Sequence, residues 1–317
     1  MKMNKIPVVL IFYKRNIVFQ VLEEIKKYRP DTMFLIADGG KTSEEKINCK
    51  NLRINVESKI DWPCEINKIY SEDNYGCRIN IPNGLNGVFK KVDKAIILED
   101  DCVPSVDFFR FCEEMLERYK NDERIYTVSG SNFLSDKKYF GDSSYLFSGY
   151  AETWGWATWR RCWEKYDPDM NDWSIESCKE ILSNMFLNEK EVNYFCKIFQ
   201  GVFNKTIDCD PWDYQWLYMS FKNKALSIVP NRNLITNNGF GNDATHTIDI
   251  TPFINLPQKP MNWPINEPKE VLRNNKFDKS YGNMVFFGEP NIIKKVVKKI
   301  YRILKFNLLI FVKMFIV

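Results

Sequence analysis

Apolar residues in this chain fall in short runs separated by helical stripes. Val8–Tyr13 is an unbroken β-branched and aromatic run, which predicts a buried strand. Over 17–28, Val18, Val21, Leu22, Ile25 and Tyr28 share one helical face, and Pro30 marks the stop. Met33–Ala37 predicts a second strand ending at Asp38-Gly39-Gly40, and Thr42-Ser43-Glu44-Glu45 is a capping box that opens a short helix. Leu52–Val56 predicts a third strand, and Pro82–Lys91 a helix with Leu85, Val88 and Phe89 inward. Lys94–Leu98 reads as a strand running directly into Glu99-Asp100-Asp101. Phe108, Phe109, Cys112, Met115, Leu116 and Tyr119 mark the next helix, and Ile125–Val128 a strand before Ser129-Gly130-Ser131-Asn132. Such alternation predicts an α/β fold, a mixed but mostly parallel, Rossmann-like sheet flanked by helices.

The second half is less regular. Trp154–Tyr166 is dense in tryptophan and reads as partly helical, and two helices are predicted near 174–186 and 189–203. Asp210-Pro211 looks like an N-cap and first residue of a helix through Phe221. Leu226–Val229 is a short strand, and beyond about 250 a Pro- and Asn-rich stretch predicts an irregular wrapping segment. From Ile292 onward, apolar residues recur at 293, 296, 297, 300, 303, 304, 308, 311 and 315 among Lys294, Lys295, Lys298, Lys299, Arg302 and Lys305. That is a C-terminal basic amphipathic helix suited to an anionic membrane surface, and its last apolar run is far short of the ~20 residues a span needs. The expected division is 1–250 (halves 1–132 and 133–250), 251–291 and 292–317.

Composition narrows the function classes. The 317 residues are 44% hydrophobic and 27% charged, as in a globular protein. A net charge of +4, with its basic excess at the C-terminal end, argues against nucleic acid as a partner. Nine cysteines, an odd number without a CxxC pair, support neither a zinc ribbon nor a disulfide framework, so reduced thiols in the cytosol are expected. The first apolar run ends in Lys14-Arg15 without a small-residue cleavage site, which favours a strand over a signal peptide.

Glu99-Asp100-Asp101 is the strongest local sign of chemistry. Three adjacent carboxylates repel one another unless a cation or solvent screens them, and hard oxygens suit Mg2+ or Mn2+. The tripeptide alone fits a metal site and an acidic turn before a helix equally well. Asp38 reads as an Asp-Gly turn residue or a ligand contact, Arg15 as a strand-end charge or a ligand contact. Gly76 and Arg78 suit close approach of phosphate, while Trp154 and Gly155 suit a pocket wall and Trp156, Trp159 and Trp163 a core face. Asp213 is a candidate general base, or an acid stabilised by a helix dipole. His246, the only histidine, is a candidate ligand or a surface residue.

Ile97-Leu98-Glu99-Asp100-Asp101-Cys102-Val103-Pro104, followed by Asp107-Phe108-Phe109, resembles the metal-binding segment of the GT-A glycosyltransferases. It is particularly similar to enzymes of the N-acetylglucosaminyltransferase I type and the bacterial sugar transferases like them. The order continues through Ile6–Arg15, Asp38, Ser129-Gly130-Ser131-Asn132, Trp154-Gly155-Trp156 and Trp212-Asp213, covering roughly residues 6–246. The resemblance implies that Asp101 and His246 ligate the metal and that Asp100 and Glu99 meet the ribose or donor sugar. It also implies that Arg15 and Asp38 hold the nucleoside and that Asp213 is the base, with Asp-Tyr here where the relatives have two adjacent Asp. The implied protein is an inverting, Mn2+- or Mg2+-dependent hexosyltransferase. It would move sugar from a nucleotide-sugar such as a UDP-sugar to a glycan or lipid-linked acceptor in surface polysaccharide synthesis. It would work in the cytoplasm, peripheral at the inner face of the membrane. The competing readings are a nucleotidyltransferase, disfavoured because Tyr13-Lys14-Arg15-Asn16 stands where a Gly-rich phosphate loop is usual, and a non-catalytic membrane-associated sugar-binding module.

Overall fold

The computed structural model describes residues 5–186, 188–207, 211–239, 253 and 256–287. In chain order, the first half contains β1 (Val8–Phe12), α1 (Val18–Tyr28), β2 (Thr32–Ala37), α2 (Ser43–Ser58), β3 (Glu65–Tyr70), α3 (Cys77–Phe89) and β4 (Lys94–Glu99). Next come β5 (Cys102–Pro104), α4 (Val106–Arg118), β6 (Ile125–Ser129), α5 (Lys137–Phe140), β7 (Tyr145–Ser148), β8 (Trp156–Trp159) and α6 (Arg160–Trp163). The remainder is α7 (Ile175–Ser183), α8 (Glu189–Phe203), α9 (Asp213–Lys222), β9 (Leu226–Pro230), β10 (Ile235–Asn237) and α10 (Asn275–Gly282), with a π turn over Asn283–Phe287. The described residues up to Asn275 and those from Lys276 onward fall into two compact units. Among the described residues, no helix is long and apolar enough to cross a membrane.

One eight-stranded sheet, ordered β3-β2-β1-β4-β8-β6-β9-β7, organises the first unit, and β5 pairs with β10 in a small ribbon. The β3-β2-β1-β4 half is parallel throughout, β8 and β7 run antiparallel to their neighbours, and β6 and β9 are parallel. This is the expected mixed, mostly parallel sheet flanked by helices. β1, β2 and β4 are continuous apolar runs because they are covered on both faces. The chain steps from β1 out to β2 and β3, then returns to place β4 on the other side of β1. Open α/β sheets bind ligands in the crevice at such a reversal, outside the carboxyl ends of the strands.

Four local expectations are corrected. Leu52–Val56 lies inside α2, not in a strand; Cys49, Leu52, Arg53 and Val56 are its buried stripe at helical spacing. The third strand is Glu65–Tyr70, whose half-exposed edge position leaves no strong apolar pattern. α3 begins at Cys77 after Gly76, one and a half turns before Pro82. Finally, Trp156 and Trp159 stand in β8, and only Arg160–Trp163 of that stretch is helical. The expected helix through Phe221 starts at Asp213 with Trp212 as its cap, beyond Pro211; Asp210 lies outside the described residues.

The tryptophans of β8, α6 and α9 are structural. Trp156 packs on Trp216 at 5.1 Å and Trp212 at 5.9 Å, and Trp163 stacks on Tyr166 at 4.6 Å. Aromatic pairs of this kind add roughly 0.5–1.5 kcal/mol beyond their buried area. The cluster fastens β8, α6 and the start of α9 together, and this fixes Asp213. The stretch 256–266 wraps α4: Met261 N and Trp263 Nε1 donate to the Asp107 carboxylate, and the Arg110 guanidinium lies 3.7 Å from the Trp263 ring centre.

Candidate functional site

A cleft of about 820 Å3 opens at the carboxyl ends of β1, β2 and β4 and is closed on one side by Pro211, Trp212, Asp213 and Tyr214. Its size suits a small-molecule ligand. Arg15 follows β1 and Glu99-Asp100-Asp101 ends β4, so the reversal in strand order sets them face to face. Arg15 binds across it: Nε donates to Asp100 Oδ2 at 3.3 Å, and Nη2 donates to Asp101 Oδ2 at 2.8 Å and to Asp100 Oδ1. Both carboxylates are largely buried.

The electrostatics show an excess of negative charge. Burial pushes the Glu99 carboxyl well up, helped by the charges of Asp101, Asp100 and Asp213. Burial likewise raises Asp100 to about 6, although Arg15 opposes the shift. Burial alone would lower the Arg15 guanidinium, but Asp100 and Asp101 outweigh it and hold it protonated. Five carboxylates, Asp38, Glu99, Asp100, Asp101 and Asp213, therefore share the cleft with Arg15 and Lys41.

This donor set fits a hard divalent cation in a limited way. Among the described residues no group of three or more carboxylate, thiol or imidazole side chains converges on one point. Mg2+-type sites, however, use one or two carboxylates with water and ligand phosphates rather than a cage of protein groups. Asp101 meets that requirement. A side chain at Gly239 would bring its Cβ within 2.1 Å of Asp101 Oδ2, so glycine there lets the strand leaving β10 pass directly over the carboxylate.

The other expected residues divide. Trp154 and Asp213 line the cleft. The main-chain oxygen of Trp212 accepts from Tyr166 Oη at 3.0 Å, which anchors the first turn of α9 beside Glu99. Asp38 also lines it, but its Oδ1 accepts from Gly39 N and Tyr75 N and its Oδ2 from Asn74 Nδ2 and Gly76 N, all at 2.8–3.0 Å. Those four donors fill a carboxylate's acceptor sites, so Asp38 shapes the loop before α3. Arg53 braces the same corner by donating to Asp38 O at 3.0 Å and Ser71 O at 2.6 Å.

Two expected residues stand outside the cleft lining. Arg78 does not border the cleft; its guanidinium reaches Val202 O at 3.3 Å and Pro168 O at 3.4 Å. Gly155 does not border it either. Its φ of +63° and a prospective Cβ contact of 2.3 Å with Ile235 explain the glycine by backbone shape and packing on β10. His246 lies outside the described residues, as does the expected helix over 292–317. Tyr13, Lys41, Asn74, Asn80, Thr153, Tyr214 and Asn237 are cleft residues that sequence reasoning missed. Tyr13 and Lys41 were within its reach, because they follow β1 and β2 as Arg15 and Asp38 do.

No family model matches this chain, and no curated protein matches it. Among solved structures, a mannosyltransferase from Pyrobaculum calidifontis in complex with GDP-Man and Mn2+ is similar at 13% identity and a TM-score of 0.36, over 53% of this chain and 49% of that one. A 4-diphosphocytidyl-2C-methyl-D-erythritol synthase from Anaerococcus prevotii is similar at 10% identity and 0.33, over 51% and 77%. A UDP-glucose pyrophosphorylase complexed with UDP-glucose is similar at 10% identity and 0.24, over 41% and 64%. The matched region thus spans about half the length of the mannosyltransferase.

Proposed function

We propose that this chain is a divalent-metal-dependent glycosyltransferase that uses a nucleotide-sugar, with the GT-A architecture its sequence motifs resemble. The observation that carries this reading is the Arg15–Asp100–Asp101 cluster at the strand-order reversal, facing Asp213 in a single cleft. Asp101 would hold Mn2+ or Mg2+, which supplies positive charge to a departing nucleoside diphosphate. Asp100 and Glu99 would meet the ribose and the donor sugar, and Trp154 would wall the sugar pocket.

Transfer with inversion needs a base on the acceptor side. Asp213, held rigidly at the first turn of α9, would accept the proton from the acceptor hydroxyl as its oxygen attacks the anomeric carbon. Trp212 beside it would help to keep out water, which would otherwise compete as acceptor. A UDP-sugar donor, a hexosyl group, a surface-polysaccharide or lipid-linked acceptor and an N-acetylglucosaminyltransferase I-like ancestry rest on the sequence motifs. Attachment to the inner face of the membrane rests on the basic amphipathic pattern over 292–317.

The test is a panel of nucleotide-sugars assayed for Mn2+-dependent transfer or slow hydrolysis, with Asp101→Asn and Asp213→Asn beside the wild type. At least one donor should be turned over, and both variants should lose most of that activity. Formation of a nucleotide-sugar from a sugar phosphate and a nucleoside triphosphate, with no transfer, would favour a nucleotidyltransferase instead. For the tail, flotation with anionic vesicles should be lost in a variant truncated after Glu289; unchanged flotation would refute the anchor.

A further inference from the structure

Two largely buried carboxylates of the cleft already have a cation. Arg15 presents two nitrogens to Asp100 and shares one of them with Asp101, with side-chain exposures of only 19%, 6% and 17% for Arg15, Asp100 and Asp101. An ion pair of this kind satisfies charges that would be costly to bury alone. Yet the guanidinium sits at 2.8 Å from Asp101 Oδ2, the oxygen over which Gly239 passes. A divalent cation on that oxygen and a guanidinium at the same place would repel strongly. Asp101 Oδ1 faces Cys102 Sγ at 3.4 Å, a weak donor that does not balance its charge.

We infer that Arg15 is the built-in counter-ion of the free cleft, and that it exchanges its carboxylates for the phosphates of an incoming nucleoside diphosphate when a divalent cation takes Asp101. This deepens the proposed function and rests on its metal site. Arg15 is suited to both roles because a guanidinium fork binds carboxylate and phosphate with the same two-pronged geometry. The exchange conserves pairing only with the nucleotide bound: Arg15 gains the phosphates, Asp101 the cation, and Asp100 the sugar hydroxyls that the proposed function gives it. It also couples the two ligands. In the free protein Arg15 competes with the metal, and once phosphate holds Arg15 the competition ends. Lys41 lines the same cleft but is exposed and makes no such bridge among the described residues, so the exchange belongs to Arg15.

The experiment is the binding of Mn2+, read by the electron-spin signal of the free ion, to full-length wild type, Arg15→Met and Arg15→Lys, each with and without UDP. Couplings between two ligands usually run from about 5- to 150-fold. We therefore expect Arg15→Met to bind Mn2+ alone about tenfold more tightly than wild type, and to bind UDP without metal more weakly. UDP should raise Mn2+ affinity far more in the wild type than in Arg15→Met. Arg15→Lys, which keeps the charge but cannot bridge both carboxylates, should fall between them, and it carries the test if circular dichroism shows that Arg15→Met does not fold. Mn2+ binding to the Arg15 variants no tighter than to wild type would overturn the exchange while leaving the metal site standing. Absence of Mn2+ binding in every protein, even with UDP, would overturn both.

Discussion

Asp38 separates a scaffold role from a ligand role, and Asp38→Asn distinguishes them. In the structure the carboxylate accepts four hydrogen bonds, three from backbone N–H groups at Gly39, Tyr75 and Gly76 and one from the Asn74 amide. Asparagine keeps one oxygen and substitutes an NH2 for the other. Whichever way the amide turns, two donors then face a donor. Hydrogen bonds to a charged group contribute about 1.5–3 kcal/mol each, and water reaches the part-buried loop, so a net loss of about 3 kcal/mol is expected. For a protein of this size 1 kcal/mol moves Tm by about 2–4 °C, which gives a fall of about 6–12 °C. The assay is thermal unfolding of wild type and Asp38→Asn, with UDP affinity measured well below both transitions. Asn74→Ala, which removes one of the four contacts, should give a smaller fall. If Asp38→Asn kept its Tm within about 2 °C while losing UDP affinity tenfold or more, the scaffold argument would be refuted.

Other outcomes follow from the same geometry. Gly155→Ala combines a positive φ, costing about 1–2 kcal/mol, with a Cβ driven into Ile235, so it should destabilise by about 2–4 kcal/mol in denaturant unfolding; pairing it with Ile235→Ala should cost less than the sum of the two. Hydrogen bonds from Lys14, Lys41 N and Tyr13 lower the Glu45 carboxyl to about 2. A lowered carboxylate stabilises above its unfolded value and loses that contribution as pH falls, so the Tm gap between wild type and Glu45→Gln should be steady above about pH 5 and close towards pH 2. Burial raises the Cys162 thiol to about 11, so at pH 8 it should resist iodoacetamide in the folded protein and react readily in denaturant. Asp213→Asn should cut transfer by about 100-fold or more with donor affinity little changed, measured as kcat against donor Kd.

The parts of the fold that the sequence made legible are those where burial alone writes the pattern. β1, β2 and β4 are covered on both faces and read as solid apolar runs, so the residues at their ends were found with them. That is why Arg15, Asp38 and Glu99-Asp100-Asp101 were all singled out. β3 failed because an edge strand with half-exposed Asn67 and Lys68 carries no such run. α2 failed because its apolar stripe is interrupted by Arg53, which is buried for the carbonyl oxygens it braces. β8 was misread because tryptophans at 156, 159 and 163 mimic helical spacing, whereas the first two belong to a strand held between β4 and β6. The employment of Asp38 was invisible for a different reason: three of its four donors arrive from residues 36–38 positions later, which no local pattern encodes. Arg78 shows the converse, a residue whose surroundings in sequence suggested phosphate and whose guanidinium reaches two distant carbonyl oxygens.

The central claim is that a metal and a nucleotide-sugar meet at Asp101. Crystals grown with Mn2+ and UDP, measured at a wavelength where manganese scatters anomalously, test it most directly. The account predicts one strong anomalous peak in contact with the Asp101 carboxylate and the UDP phosphates, with the Arg15 guanidinium moved off that carboxylate. Nucleotide bound elsewhere, or manganese found away from Asp101, would contradict it.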